Sequence, residues 1–74
     1  MPKIVLTNHV KLRLLERNID VHDIKMVVVN GKVTKTEPDG TLIKVGICDD
    51  KKTLAVVYMS IGSKFIIKTA YYES

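Results

Sequence analysis

A chain of 74 residues has apolar material for one small core, and 46% hydrophobic with 27% charged residues is folded rather than disordered composition. Its single cysteine, Cys48, excludes an internal disulfide, and one cysteine with two separated histidines supplies no zinc ligand set, so a reducing compartment is expected. A net charge of +4 and a pI near 9.3 favour encounter with a polyanion, although lysines spread over strands and turns also serve solubility and edge protection.

Residues 3–6 read as a short first strand or an extended lead-in. Thr7 and Asn8 are N-cap residues for a helix over His9 to Arg17, which is rich in strong helix formers. Asn18 closes that helix in a left-handed conformation, and Asp20 caps a second one, with Asp23 near its positive end. The second helix runs from about Val21 to Val29, with Val21, Ile24, Val27 and Val28 on one arc at roughly 100° per residue. Asn30-Gly31 stops it, with Gly31 expected in the left-handed position.

From Lys32 onward the period changes to two. Val33 to Glu37 reads as a strand, Pro38-Asp39-Gly40 as a turn, and Thr41 to Cys48 as a strand with Ile43, Val45 and Ile47 on one face. Asp49-Asp50-Lys51-Lys52 is a polar turn, followed by strands over Thr53 to Ser60 and Lys64 to Tyr72, joined around Ile61-Gly62-Ser63. Hairpin-length connections predict an antiparallel meander. The expected fold is α+β: two N-terminal helices packed on an antiparallel sheet of four strands, or five if residues 3–6 pair.

No apolar stretch approaches the roughly 20 residues of a membrane span. The N-terminus lacks the long apolar core and cleavage site of a signal peptide. A cytoplasmic protein with no membrane association, its residues 1–74 forming a single domain, is the expectation.

His9, Arg13 and Arg17, at i, i+4 and i+8, fall along one helical stripe beside Val10 and Leu14. Arginine presents a planar fork that matches phosphate oxygens, and histidine titrates near neutral pH, so the stripe is suited to a phosphate. The structural alternative is that both arginines cover an apolar face with their stems or pair with Glu16, Asp20 or Asp23. Leu12 and Leu15 lie on the other side of the helix, which predicts contact on two faces. His22, between Asp20 and Asp23, reads as a local surface residue, and Cys48 as packing. In the last strand, Thr69 and Tyr71 are expected on one face with Phe65 and Ile67, and Lys68 and Tyr72 on the other with Ile66. Their hydroxyls suit phosphate binding or proton transfer, and Thr and Tyr are also ordinary strand formers.

The segment from Thr7 through His9, Arg13, Glu16, Arg17 and Asn18 to Ile19 resembles the opening of a family of small prokaryotic domains of unknown function. Their helix carries a His, an Arg four residues on, then Glu-Arg-Gly-Ile, before a hydrophobic helix and a sheet ending in a strand like Ile67-Lys68-Thr69-Ala70-Tyr71. Asn18 stands where that family usually has Gly, a change that preserves the turn. The resemblance extends to the RelE-like toxins and the barnase and colicin-type ribonuclease folds.

It implies a toxin-type endoribonuclease that works without metal or cofactor, by attack of a ribose 2′-hydroxyl on the adjacent phosphate. Its implied catalytic residues are His9, Arg13, Arg17 and Tyr71, with Thr69 and Lys68 binding substrate. The implied partners are RNA, including ribosome-associated mRNA, and a cognate antitoxin protein; an exposed edge strand offers a route to a homodimer or to antitoxin strand addition. The rival expectation is an inactive relative, a non-catalytic module that binds RNA or a protein.

Overall fold

Both helices begin where a short polar side chain can satisfy their first free N–H groups. In a computed structural model that describes residues 3–48 and 51–73, Thr7 Oγ1 accepts from the Val10 N–H at 3.2 Å, and Asp20 Oδ1 from the His22 N–H at 2.9 Å. These caps start α1 (Asn8–Glu16) and α2 (Val21–Asn30). Asn18 has φ +55°, as expected, and ends α1 in a Schellman turn: the Asn18 N–H donates to the Leu15 carbonyl and the Ile19 N–H to the Leu14 carbonyl. Leu14 and Ile19, the pair that accompanies such a turn, are both buried in the core.

α2 buries Ile24, Val27 and Val28, while Val21, at its first position, keeps about a third of its surface in solvent. Gly31 does not take the expected left-handed conformation; its φ is −74° and ψ 173°. Its need for glycine is steric instead. A Cβ there would sit 2.5 Å from the Val27 carbonyl oxygen and 2.9 Å from that of Val45.

The strands are β1 (Lys3–Leu6), β2 (Lys32–Thr36), β3 (Thr41–Ile47), β4 (Thr53–Ile61) and β5 (Lys64–Glu73). They form one sheet in the order β1-β5-β4-β3-β2. β2 to β5 make the expected antiparallel meander, with Gly40 and Gly62 at positive φ in its tight turns. The sheet is mixed, however, not antiparallel throughout: β1 pairs parallel with β5, Lys3 opposite Lys64 and Leu6 opposite Ile67. Hairpin lengths dictate the partners of consecutive strands, but β1 is separated from β5 by both helices and three strands, so no turn sets its direction. Asp49 and Asp50 of the expected polar turn lie outside the described residues.

Both helices cover the same face. Val10, Leu14, Ile24, Val27 and Val28 meet Leu54, Val56, Tyr58, Ile67 and Ala70, with Ile4, Leu6, Leu42, Phe65 and Tyr72 packed around them. Cys48 belongs to this cluster, in agreement with its reading as packing. Ile43, Val45 and Ile47 point the other way. On the helix side β3 instead presents Leu42, Lys44 and Gly46, and each of the last two has a local task. Lys44 Nζ donates to the Val28 carbonyl at 2.7 Å, answering the negative end of a helix with no basic residue in its last turn. Gly46 lets α2 approach, since a Cβ would meet Val27 Cγ2 at 3.1 Å.

A bulge resets the alternation of β5. Val57 pairs with Thr69 but Tyr58 pairs with Ile67, which leaves Lys68 as the extra residue. Ile67 and Ala70 therefore share the helix face, and Thr69 and Tyr71 lie away from it. The expected grouping of Thr69 and Tyr71 with Ile67 is corrected by that one residue. Among the described residues no helix is long and apolar enough to cross a membrane.

Candidate functional site

The burial of Val10 and Leu14 orients α1 and so places the residue before each, His9 and Arg13, about 100° around the helix from the core. His9 is exposed and Arg13 half-buried, and neither side chain has a hydrogen-bond or ion-pair partner among the described residues. Arg17 is the C-cap residue, held by its N–H to the Arg13 carbonyl at 3.0 Å. The Schellman turn fixes its direction. Its Nη1 donates to the Ala70 carbonyl at 2.8 Å and to Thr69 Oγ1 at 3.3 Å.

Those acceptors are free because β1 ends opposite Ile67, so the edge of β5 away from β4 has no strand beside it from Lys68 onward. Arg17 closes this open edge with one terminal nitrogen. Its Nε and other terminal nitrogen have no side-chain or backbone acceptor among the described residues. A second tie runs from β5 to the same helix end, where Tyr72 Oη donates to the Asn18 carbonyl at 3.4 Å. The Tyr72 ring carries Lys52 Nζ 5.2 Å from its centroid.

The structure thus brings His9, Arg13 and Arg17 onto one stripe and adds Thr69 at its end. It does not bring Tyr71 there: Tyr71 alternates with the helix-facing Ala70 and Tyr72 and projects from the opposite side of the sheet. Lys68 is also on that other side, where its Nζ donates to Thr41 Oγ1 at 2.7 Å and lies 3.6 Å from Asp39 Oδ2. The tyrosine tied to the end of α1 is Tyr72, with Lys52 over its ring. Sequence reasoning missed both because a bulge leaves no mark in strand-forming residues and Lys52 comes from a separate turn.

Chemically the stripe offers two guanidinium groups and one imidazole on a rigid helix, with a phenol at its far end. Such a surface can bind phosphate oxygens bidentately and supplies an imidazole for proton transfer. A small cleft of about 110 Å³ lies elsewhere, between α2 and the end of β3, lined by Asp23, Met26, Asn30, Gly46 and Cys48 among others. Among the described residues, no three His, Cys, Asp or Glu side chains converge as a metal site.

No curated protein and no solved structure matches the chain. A family model does, that of a domain of unknown function, DUF4258, over residues 6–72, a span that takes in the α1 stripe, both helices and β2 to β5 through Tyr72. The chain belongs to the DUF4258 family.

Proposed function

We propose that the chain is a toxin-type endoribonuclease that cleaves RNA without a metal or other cofactor, by attack of a 2′-hydroxyl on the adjacent phosphate. The observation that carries this reading is the stripe itself: an imidazole and a guanidinium, neither with a hydrogen-bond or ion-pair partner among the described residues, in line with a second guanidinium held against β5. His9 acts as general acid or base, a role worth about 10²–10⁴-fold. Arg13 binds the scissile phosphate and answers the charge that develops on it, the electrostatic contribution that often dominates. Arg17 contributes its remaining donors to the same phosphate or its neighbour, while its Nη1 holds the helix in place. Thr69 stays in the site through Arg17. Tyr71 and Lys68 lie on the other face and have no part in this reaction. DNA is a poor substrate because it lacks the 2′-hydroxyl.

The kinship with RelE-like and barnase-like toxins is part of the same proposal and rests on the residue pattern of α1 and β5. With it go a cytoplasmic location, ribosome-associated mRNA as substrate and a cognate antitoxin as partner. A second reading, a non-catalytic RNA- or protein-binding module of the same fold, is favoured by the absence of Tyr71 from the stripe, which leaves the Tyr72 phenol, itself bonded to the Asn18 carbonyl, as the tyrosine hydroxyl at the end of His9's helix.

The test is cleavage of total cellular RNA in chelator by the wild type, His9→Ala and Arg13→Ala. Cleavage that falls at least about tenfold in both variants supports the ribonuclease. If neither free RNA nor translating ribosomes are cut, but RNA binding is present and weakened by Arg13→Ala, the second reading replaces it. Absence of both cleavage and RNA binding overturns the ribonuclease and leaves the second reading only its protein-binding form.

A further inference from the structure

α1 advances along the open margin of β5, in the direction of that strand. β1 leaves β5 at Ile67, and Thr7 turns the chain into the helix. The helix ends where Arg17 meets the Ala70 carbonyl and Tyr72 Oη meets that of Asn18. Four residues of helix rise about 6 Å, which separates Arg13 from Arg17 by one step. From Ala70 to Tyr72 the strand advances about 6.6 Å, a second step of nearly the same length. Lys52 stands at the end of that second step, its Nζ 5.2 Å from the centre of the Tyr72 ring.

We infer that Arg13, Arg17 and Lys52 form a track for consecutive phosphates of one RNA strand, with Lys52 holding the phosphate beyond the one at Arg17. The substrate is then an oligonucleotide of at least three consecutive phosphates, and not a mononucleotide or a dinucleotide. The assignment of the scissile phosphate to Arg13 rests on the ribonuclease reading; Lys52 and the substrate class are added to it.

The track is placed before a ligand arrives. Arg17 is anchored through Nη1, and the Tyr72 ring, itself tied at its hydroxyl, gives the Lys52 ammonium a resting place. Less side-chain freedom is then left to lose on binding. Lysine meets a phosphate as a point charge, which suits holding the strand, whereas the planar fork of Arg13 suits the reacting group. Tyr72 is a positioning residue. The acids around the track are turned to other tasks or directions. Glu73 alternates with Tyr72 onto the helix-free face, and Glu16 lies about 100° round α1 from Arg17. Asp20 Oδ1 caps α2. On the helix-free face, by contrast, Lys35 and Lys68 already have Glu37 and Asp39 as partners, so that face offers no comparable row of cations.

The test measures binding and so does not depend on turnover. The probes are a 2′-O-methyl RNA decamer, which has no attacking hydroxyl, and a 2′-O-methyl dinucleoside monophosphate, which has a single phosphate. Affinity of the full chain for each is followed against salt concentration. One phosphate contact to a single strand adds about 0.7 to the slope of log affinity against log salt, or about fivefold in affinity at 0.1 M salt. Lys52 is exposed, so Lys52→Ala is expected to fold normally, to lose that much with the decamer and to lose nothing with the dinucleotide. Lys52→Arg is expected to keep the wild-type slope, as is Lys32→Ala on the helix-free face. An equal loss with both probes, or an equal loss in Lys52→Ala and Lys32→Ala, overturns the track, because Lys52 would then act at the scissile phosphate or through net charge alone. An unchanged slope in Lys52→Ala overturns the track and leaves the ribonuclease standing if His9→Ala and Arg13→Ala still lose cleavage. A slope that falls in a chain that cuts no RNA removes the catalysis and keeps the track. A decamer that is not bound at all overturns both.

Discussion

The two faces of the sheet are built from the same strands by the same alternation, yet they are stabilised by different means. On the helix side, β4 contributes Leu54, Val56 and Tyr58, all essentially excluded from water, and two helices close over them. On the other side the same strand contributes Ala55, Val57 and Met59, equally apolar but covered only by their neighbours. Ala55 has no accessible surface, although no helix touches it, because the larger Val45 and Tyr71 flank it across the strands. Hydrophobic pattern therefore establishes that both faces are apolar, while the helices decide which becomes the core.

Truncating one residue on each face separates the two situations most strongly. Leu54→Ala removes a fully buried side chain from beneath the helices and is expected to cost about 2–5 kcal/mol. That is a large share of the roughly 5–15 kcal/mol that holds a small domain together. Ile47→Ala on the open face is expected to change the stability of the isolated chain by no more than about 0.5 kcal/mol. Urea unfolding of both variants at a concentration where the chain is monomeric measures the contrast. Equal losses would mean that the open face is as closely packed as the covered one.

A smaller effect probes how closely α2 lies on β3. Gly31→Ala adds one methyl group against the Val27 and Val45 carbonyls, and both neighbours are backbone that cannot swing aside. The expected loss is about 1–3 kcal/mol, in the range of overpacked cores. The usual benefit of replacing glycine, fewer conformations in the unfolded chain, would show as a gain of about 0.4–1 kcal/mol. The sign of the change, read from thermal unfolding, decides between steric contact and simple chain flexibility.

The elements were legible because local chemistry specified them. Thr7 and Asp20 as caps, Asn18 as a left-handed stop and Pro38-Asp39-Gly40 as a turn act within a few residues of themselves. Gly31 was legible as the stop of α2 but not in its conformation, and two larger features, both non-local, were not legible. The parallel partner of β1 depends on where α1 returns the chain, which no turn encodes. The bulge at Lys68 depends on how β4 and β5 fit over the helices, and it moves Tyr71 from the expected side of the sheet to the other. The candidate site shared this fate: its helical part, His9, Arg13 and Arg17, follows from spacing on one element, whereas its sheet part exchanged Tyr71 for Tyr72.

Arg17 joins the helix layer to the margin of the sheet, and its removal tests whether the open edge of β5 needs closing. Arg17→Ala leaves the Ala70 carbonyl to solvent instead of to a guanidinium, at a partly buried position. A loss of about 1 kcal/mol is expected, together with faster amide hydrogen exchange in residues 69–73 and no change in β3. Unchanged exchange there would make Arg17 free to serve substrate alone.

The smallest effect belongs to the open face and depends on pH. Asp39 is held below its ordinary value of 3.8, first by the hydrogen bond from the Thr41 N–H and then by the Thr41 hydroxyl; desolvation opposes them, and the nearby Lys68 charge adds a smaller lowering. A carboxyl group whose pKa is lower folded than unfolded binds protons more readily in the unfolded chain. Its contribution is therefore complete above pH 3.8 and disappears as pH falls through the folded value. Asp39→Asn is expected to melt slightly below the wild type at neutral pH, with the two curves converging in the acid range below pH 3.8. Both groups are solvent-exposed, so added salt should narrow the neutral-pH gap by screening Lys68 while leaving the Thr41 hydrogen bonds in place. A gap that persists unchanged into strong acid would show that the Asp39 side chain acts through the shape of its turn and not through its charge.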